Sequence, residues 1–454
     1  MRAIPTLKIS ISGVRGVVGD SLTPALLTRF AQAFGTYAGS GTIIVGRDTR
    51  TSGEMVRQAV FAGLLSSGCR PIDLDVCPVP TVQLAVRERR AQGGIAITAS
   101  HNPAEWNALK FIGDDGLFLG SGPARELLDI YHQGEYLKVP GPAMRSVERM
   151  DGALDLHIRA ILDAVGPLPR STSRLRVGLD ACNGAGSLVS PRLLEALGAD
   201  VVSINTTPDG LFPRPAEPLP ENLTALCDLV RAERCDLGFA QDMDADRLAV
   251  VDRTGRPIGE DYTLVLSAWY VLRATPGVVV ANLSTSAALD DVAARFGSRV
   301  LRTKIGEANV TERMRAEKAV IGGEGNGGVI YPRINFGRDS LVGMALILHL
   351  LSASGRTLID LLSELPSYRL IKTKLECPSS SIPGVLRMLK REYRSFPLDS
   401  RDGVKVTLPS GWFLVRGSNT EPIVRIVAEA GSDEDAQRIV DEVFARVKST
   451  VDSR

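Results

Sequence analysis

Ser100, within Thr98-Ala99-Ser100-His101-Asn102-Pro103, and the alternating carboxylates Asp242, Asp244 and Asp246 are the residues whose types and spacing could do the most chemistry. Carboxylates at i, i+2 and i+4 in a short loop can wrap around one hard cation. An EF-hand is excluded, because its sixth loop position requires Gly and is Arg247, and its twelfth requires Glu and is Arg253. Few carboxylate ligands leave room for phosphate oxygen, which suits Mg²⁺. Arg247 alongside could grip that phosphate bidentately. A solvated acidic turn is the plainer reading of the same run. A serine hydroxyl is a poor nucleophile unless a base or metal assists it. Once phosphorylated it becomes a phosphoryl donor whose charge Mg²⁺ can neutralise. His101 or Lys110 could supply the acid/base step. The plainer reading of Ser100 is a strand-ending turn, since Ser, Asn and Pro are ordinary turn formers.

Three further segments bear on anions and sugars. Arg416-Gly417-Ser418-Asn419-Thr420-Glu421-Pro422, with Arg425 close behind, offers backbone N–H groups, hydroxyls and two guanidinium groups for a phosphate. Gly323–Gly328 has four glycines around Glu324 and Asn326; glycine lets a backbone approach a ligand, and a carboxylate and an amide suit vicinal hydroxyls. A flexible linker explains that stretch equally well. Ser12-Gly13-Val14-Arg15-Gly16 and Gly46-Arg47-Asp48-Thr49-Arg50 bring more arginines near strand ends, where Asp48 could pin Arg47 or Arg50 in a structural pair.

These residues must be held by regular elements, and hydrophobic periodicity finds one unit three times. The first runs strand Thr42–Gly46, helix Glu54–Leu65, strand Pro71–Val76, helix Thr81–Arg89, strand Gly94–Thr98. The second runs strand Leu175–Asp180, helix Ser187–Leu197, strand Asp200–Ile204, helix Glu221–Arg231, strand Leu237–Ala240. The third runs strand Gly277–Leu283, helix Ser286–Phe296, strand Val300–Thr303, helix Ala308–Met314, strand Ala319–Gly322. Each is β-α-β-α-β, the signature of a mixed or parallel sheet covered on both faces. The Ser100, Asp242–Asp246 and Glu324 segments each follow the third strand of a unit. Ligands gather at the carboxyl ends of strands in such sheets, so these loops are expected to converge on a central cleft. From about Ser367 the pattern changes to strands and helices of a smaller α+β domain. The expected domains are residues 1–150, 151–253, 254–366 and 367–454, with linkers at Gly166–Ser173 and Ser363–Ser367.

The bulk numbers agree with an α/β enzyme of several domains. At about 150 residues per domain, 454 residues suggest roughly three or four. A net charge of +1 and 5% aromatic residues speak against nucleic acid as a partner. The six cysteines are scattered without a CxxC pair, as in a reducing compartment. The start lacks the apolar core of a signal peptide, and no apolar run approaches the ~18 residues of a membrane span. A cytoplasmic protein without a membrane partner is the expectation. Four histidines far apart make a histidine-based zinc site improbable, leaving a hard cation held by oxygen.

Taken together and in this order, the segments from Ser12–Gly16 to Arg416–Arg425 resemble the α-D-phosphohexomutase family of phosphoglucomutases, phosphomannomutases and phosphoglucosamine mutases. The resemblance spans the chain. It implies three related α/β domains and a fourth around a central cleft. It makes Ser100 the phosphoserine and a metal ligand, with Asp242, Asp244 and Asp246 holding Mg²⁺ and Arg247 contacting the phosphoserine. His101, Lys110 and Arg15 fall near the reacting phosphoryl group. Glu324 and Asn326 become sugar-recognition residues, and Arg416, Ser418, Asn419, Thr420 and Arg425 the phosphate loop. The implied activity interconverts hexose 6-phosphate and hexose 1-phosphate through a hexose 1,6-bisphosphate, which also acts as activator, in a monomer or homodimer. Three loops depart from the pattern. Met243 replaces a frequent glycine in the metal loop, Asn326 and Gly328 replace Ser and His in the sugar loop, and Gly417 and Asn419 replace Pro and Gly in the phosphate loop. The altered sugar loop is similar to a branch often assigned as phosphoglucosamine mutases, with phosphomannomutase or phosphoglucomutase as the alternative. A phosphatase or bisphosphate synthase is the rival in the same class, and a non-catalytic sugar-phosphate sensor the remote one.

Overall fold

Short runs of β-branched and apolar residues become the central strands of each sheet in the computed structural model, which describes residues 6–10, 13–169, 174–418 and 422–452. The chain divides into two compact units: residues up to Tyr270 with Asn326–Leu358, and Val271–Gly325 with the segment from Ile359 onward.

In the first unit, strand Thr42–Arg47 pairs parallel with Gly93–Ile97 on one side and Arg70–Val76 on the other. Gly93–Ile97 pairs antiparallel with Trp106–Ile112, which continues through Gly13–Val17 to Lys8–Ser10; Glu148–Arg149 closes the opposite edge of the seven-stranded sheet. The second sheet repeats the motif. Arg176–Asp180 pairs parallel with Leu237–Gln241 and Asp200–Ile204, and Leu237–Gln241 pairs antiparallel with Leu248–Asp252. In the second unit Val278–Asn282 likewise pairs parallel with Ile321–Glu324 and Arg299–Thr303. All three therefore share one order, with the first strand between the third and the second. The C-terminal sheet is antiparallel, in the order Arg369–Glu376, Ile423–Ala430, Gly411–Gly417, Val404–Leu408, Leu398–Asp399. Helices Ile382–Glu392 and Asp433–Asp452 cover it.

Both faces of the first sheet are packed, which makes Gly93–Ile97 a rigid support for the residues that follow it. On one face Val45, Ile95 and Ile97 meet an aromatic group in which the Phe30 and Tyr131 ring centroids are 3.8 Å apart and those of Phe34 and Phe111 5.0 Å. On the other, Ile44, Val82, Val86 and Ala96 pack with Ala153, Met150 and Leu154. Packing of this density leaves little freedom at the strand ends.

The periodic reading left helices Pro24–Tyr37, Ser121–Gln133, Ala153–Val165, Asp261–Ala274 and Ser340–Ser354 unassigned. It also began the helix after Pro220 too early: Pro220–Asn222 forms a 3₁₀ turn and the helix proper is Thr224–Ala232. Strand Ile321–Glu324 runs two residues beyond the expected end, so Glu324 closes a strand instead of sitting in the loop.

Ser340–Ser354 explains its own composition. Every residue from Ser340 to Leu351 is buried, against helices Ala153–Val165 and Ser190–Leu197 and strand Leu248–Asp252, so no polar stripe remains to reveal a period. Asp339 caps it, accepting from the N–H groups of Leu341 (2.9 Å) and Val342 (3.3 Å), while its other oxygen lies 2.7 Å from His157 Nε2. His157 Nδ1 in turn faces Thr81 Oγ1 at 2.9 Å. Asp339→Ala therefore loses a cap and orphans a buried imidazole. The expected cost is about 2 kcal/mol or more, read as a lower midpoint in urea unfolding. Among the described residues no helix is long and apolar enough to cross a membrane.

Candidate active site

Two loops of the first unit meet. Thr98-Ala99-Ser100 leaves strand Gly93–Ile97 and turns at Ser100, whose backbone adopts a left-handed φ of 49°. Asp242–Arg247 joins the antiparallel strands Leu237–Gln241 and Leu248–Asp252 and turns at Ala245, with φ of 55°. Met243 keeps an ordinary negative φ and is buried with Cys182 and Ala216. The left-handed residue of this loop is thus Ala245, and the position where glycine is frequent has no need of one.

Ser100 Oγ donates to Asp242 Oδ2 at 2.8 Å. One ligand oxygen from each of Asp242, Asp244 and Asp246 can be chosen so that all lie within 4.8 Å of one another, and all three side chains are buried. Each carboxylate is pinned differently. Asp242 Oδ1 accepts from the N–H groups of Asp246 and Arg247, both at 3.2 Å. Lys110 Nζ donates to Asp244 Oδ2 at 2.7 Å, and Arg338 to Asp246 Oδ2 at 2.6 Å. Among the described residues, that leaves Asp244 Oδ1 and Asp246 Oδ1 buried without a hydrogen-bond partner. A buried carboxylate oxygen that accepts no hydrogen bond is costly. Inward oxygens of this kind, with hard-donor chemistry throughout, fit a divalent cation.

The electrostatics follow from that crowding. Burial, then the charges of Asp244 and Asp246, pushes the Asp242 carboxyl well above the usual carboxylate range. Burial also opposes ionisation of Asp244, but the Lys110 ammonium, the Asp242 hydrogen bond and the Arg338 charge together outweigh it and hold Asp244 below that range. Lys110 is correspondingly raised, the two carboxylates Asp244 and Asp246 overcoming its own burial. His101 is pushed down to about 2 by the nearby Arg247 guanidinium and by burial, and its Nδ1 is buried without a partner. Neutral His101 is therefore a poor proton donor in this state, whereas Lys110 carries its proton. Arg247 Nη1 donates to Glu217 at 2.8 Å, while its Nε makes no hydrogen bond among the described residues and lies at ion-pair distance from Asp242 (4.0 Å) and Asp246 (3.8 Å). Arg15, on strand Gly13–Val17, reaches Asn102 Oδ1 at 3.4 Å.

The second unit carries the other expected residues except Asn326. Glu324 is buried, with Oε1 accepting from Asn282 Nδ2 at 2.9 Å and from the Gly306 N–H at 2.8 Å. Asn326, counted with the first unit, caps its own turn through the Gly328 N–H at 3.3 Å. Arg416 and Arg425 lie directly opposite in the antiparallel register, and Lys374 opposes Arg425 on the other side. Three cations in a row across one sheet face repel unless something neutralises them, and Asp402, 3.4 Å from Arg416 Nε, is one partial answer. The Ser418 N–H closes the loop onto Ile423 O at 2.9 Å. Asn419 and Thr420 lie outside the described residues.

Known proteins with this organisation are found along the whole chain. Four family profiles match in order: Phosphoglucomutase/phosphomannomutase alpha/beta/alpha domain I at residues 7–138, domain II at 155–255, domain III at 259–368, and the C-terminal domain at 370–446. The chain belongs to the phosphoglucomutase/phosphomannomutase family. Members are phosphohexomutases, enzymes that transfer a phosphoryl group. A probable phosphoglucosamine mutase of Methanopyrus kandleri is 39% identical over 97% of this chain and 98% of its own. A phosphoglucomutase/phosphomannomutase of Thermococcus kodakarensis is 38% identical over 94% and 96%. The crystal structure of a family protein from Burkholderia thailandensis superposes with a TM-score of 0.85, at 28% identity and 98% coverage of both chains.

Within this phosphohexomutase the structure adds residues that the sequence reading passed over. Arg338 belongs to Gly337-Arg338-Asp339, the same tripeptide as Gly46-Arg47-Asp48, which was the available signal. Glu217 and Arg214 come from the Pro-rich segment of the second domain. Arg214 joins Asp180 at 2.8 Å to the Gln241 carbonyl at 2.7 Å, just ahead of the aspartates. Asp48 pairs with Arg50, and Arg47 with Asp75 instead.

Proposed function

We propose that this chain interconverts hexose 6-phosphate and hexose 1-phosphate through a phosphoserine at Ser100 and a hexose 1,6-bisphosphate, with glucosamine phosphate as the preferred sugar. The observation that carries the proposal is the 2.8 Å hydrogen bond from Ser100 Oγ to a buried carboxylate trio with two unpartnered oxygens. Asp242, Asp244 and Asp246 would hold Mg²⁺, with an oxygen on Ser100 as a further ligand. The cation supplies charge neutralisation for the phosphoryl oxygens.

The chain's own residues do the rest. Phosphorylated Ser100 faces a free hydroxyl of a bound hexose monophosphate. The hydroxyl oxygen forms the new P–O bond, the bond from phosphorus to Ser100 Oγ breaks, and the hydroxyl proton passes to Oγ. The bisphosphate then presents its other phosphoryl group and the same exchange runs backwards, restoring phosphoserine. Lys110, protonated, and Arg15 and Arg247, permanently charged, would bind the transferring group. His101, beside the nucleophile, would act as a neutral hydrogen-bonding group. Arg416, Ser418, Asn419, Thr420 and Arg425 would hold the non-reacting phosphate in both orientations, which asks for charge recognition more than shape. Glu324 and Asn326 would contact sugar hydroxyls. Phosphoglucomutase/phosphomannomutase activity is the second reading, favoured by the Thermococcus kodakarensis relative of nearly equal identity.

A panel of glucose, mannose, glucosamine and N-acetylglucosamine 1- and 6-phosphates, assayed with Mg²⁺ and catalytic hexose 1,6-bisphosphate, tests both. Glucosamine phosphate should have the highest kcat/KM. A higher value for glucose or mannose phosphate would replace the first reading by the second. Release of inorganic phosphate matching substrate loss would replace both by a phosphatase.

A further inference from the structure

The Arg50 side chain is fully buried and spends every one of its five N–H groups. Nε donates to Asp48 Oδ2 at 3.1 Å. Nη2 donates to the carbonyls of Ser100 and Asn102, both at 2.7 Å, and Nη1 to those of Pro103 (2.6 Å) and Trp106 (2.9 Å). One guanidinium thus ties down the whole turn between the Ser100 bend and the start of strand Trp106–Ile112. The N–H of Ser100 is held by the same group at one remove. It donates to Thr98 Oγ1 at 2.9 Å, Thr98 donates to Asp48 Oδ2 at 2.6 Å, and Asp48 Oδ1 accepts from the Arg50 N–H at 2.9 Å. Above the guanidinium lies the Phe212 ring, 4.9 Å from Cζ to centroid.

This closed network meets a specific need. A serine in the left-handed region is held there at a cost of about 1–2 kcal/mol, and returning it to an ordinary φ would swing Oγ off its line to Asp242. Both backbone polar groups of Ser100 are fastened, so that rotation is blocked from each side. Neither the Arg50 nor the Thr98 side chain makes a hydrogen bond or ion pair to the carboxylate trio. Their effect on chemistry passes through Ser100.

We propose that Arg50, with Asp48 and Thr98, forms a positioning network that holds Ser100 in the strained conformation required for phosphoryl transfer. The proposal rests on the reading of Ser100 as the phosphoryl carrier. Two variants separate it from a merely structural role. Arg50→Lys keeps the charge against Asp48 but offers three donors for five acceptors, and Thr98→Val keeps the shape while releasing the Ser100 N–H. In each, the rate at which Ser100 takes a phosphoryl group from glucose 1,6-bisphosphate is followed by quenched-flow intact mass, alongside kcat, KM and the fraction folded by circular dichroism. The expected result is a fall of about 100-fold in phosphoryl uptake and kcat, the scale of a misplacement of about 1 Å, with KM unchanged and the protein folded. Wild-type uptake in folded Thr98→Val, or a loss no greater than the loss of folded protein, overturns the positioning role; should Arg50→Lys not fold, Thr98→Val decides. A wild-type protein whose Ser100 accepts nothing from the bisphosphate would overturn the carrier reading itself, and the network's role with it.

Discussion

Ser100→Ala is expected to abolish mutase turnover, by a factor on the order of 10⁶, without lowering the unfolding temperature appreciably. The nucleophile and phosphoryl carrier is a single oxygen in this scheme, and neither His101 nor Lys110 can replace it as a recycling ester. The fold has little stake in that atom: among the described residues Oγ makes one hydrogen bond, to Asp242, whose carboxyl is already pushed toward its protonated form by burial and its neighbours. Alanine bears the same left-handed backbone strain as serine, so the loop anchored by Arg50 should stay in place. Ser100→Gly should be equally inactive yet more stable by about 1 kcal/mol, because glycine adopts this φ freely. Turnover assays and thermal melts on the two variants check both statements, and measurable mutase activity in either would remove Ser100 from the mechanism.

Asp242→Asn should separate catalysis from stability in the opposite direction. In buffer free of divalent cations three buried carboxylates compete, and Asp242 is the one without a close ion-pair partner. A group whose folded pKa lies above its unfolded one contributes stability below the unfolded pKa, and that contribution is lost as pH climbs through the folded value. The metal-free variant should therefore match or exceed the wild type, and its advantage should widen as pH rises. Mg²⁺ should reverse the order. At a hundredfold excess over its Kd a cation bound only to the native state adds about 2.7 kcal/mol, which the wild type would gain and the variant would largely forgo. Activity should fall with the lost affinity. Melts with and without Mg²⁺ across pH decide the matter, and an equal Mg²⁺ shift in both proteins would take Asp242 out of the metal site.

Much of this arrangement is legible in the chain because the chemistry sits where periodic segments end. The first and second β-α-β-α-β units stop at Thr98 and Ala240 in the sequence reading, and the structure brings Ser100 and Asp242 together within hydrogen-bond distance. What stayed hidden follows from two physical causes. Ser340–Ser354 is apolar on every side, so periodicity cannot assign it, and with it went Arg338 and Asp339 at its start. The other cause is distance in sequence. Glu217 meets Arg247 across a turn-rich segment with no period, and Arg50 grips carbonyls some fifty residues away; backbone acceptors leave no trace in side-chain identity. Met243 was a local puzzle of a different kind. It replaces a frequent glycine, yet the left-handed residue of the loop is Ala245, and residue types alone do not show which position bends.

The buried helix Ser340–Ser354 also has a bearing on synthesis. It completes the core of the first unit, yet it reaches that unit only after the chain has left at Tyr270, built Val271–Gly325 elsewhere and come back. A nascent polypeptide growing at about 5–20 residues per second would carry an unfilled apolar groove for several seconds between residues 270 and 340. A gene truncated after codon 270 would keep that groove open permanently. Its product should be the aggregation-prone fragment of this enzyme, even though Ser100 and all three aspartates are encoded within it.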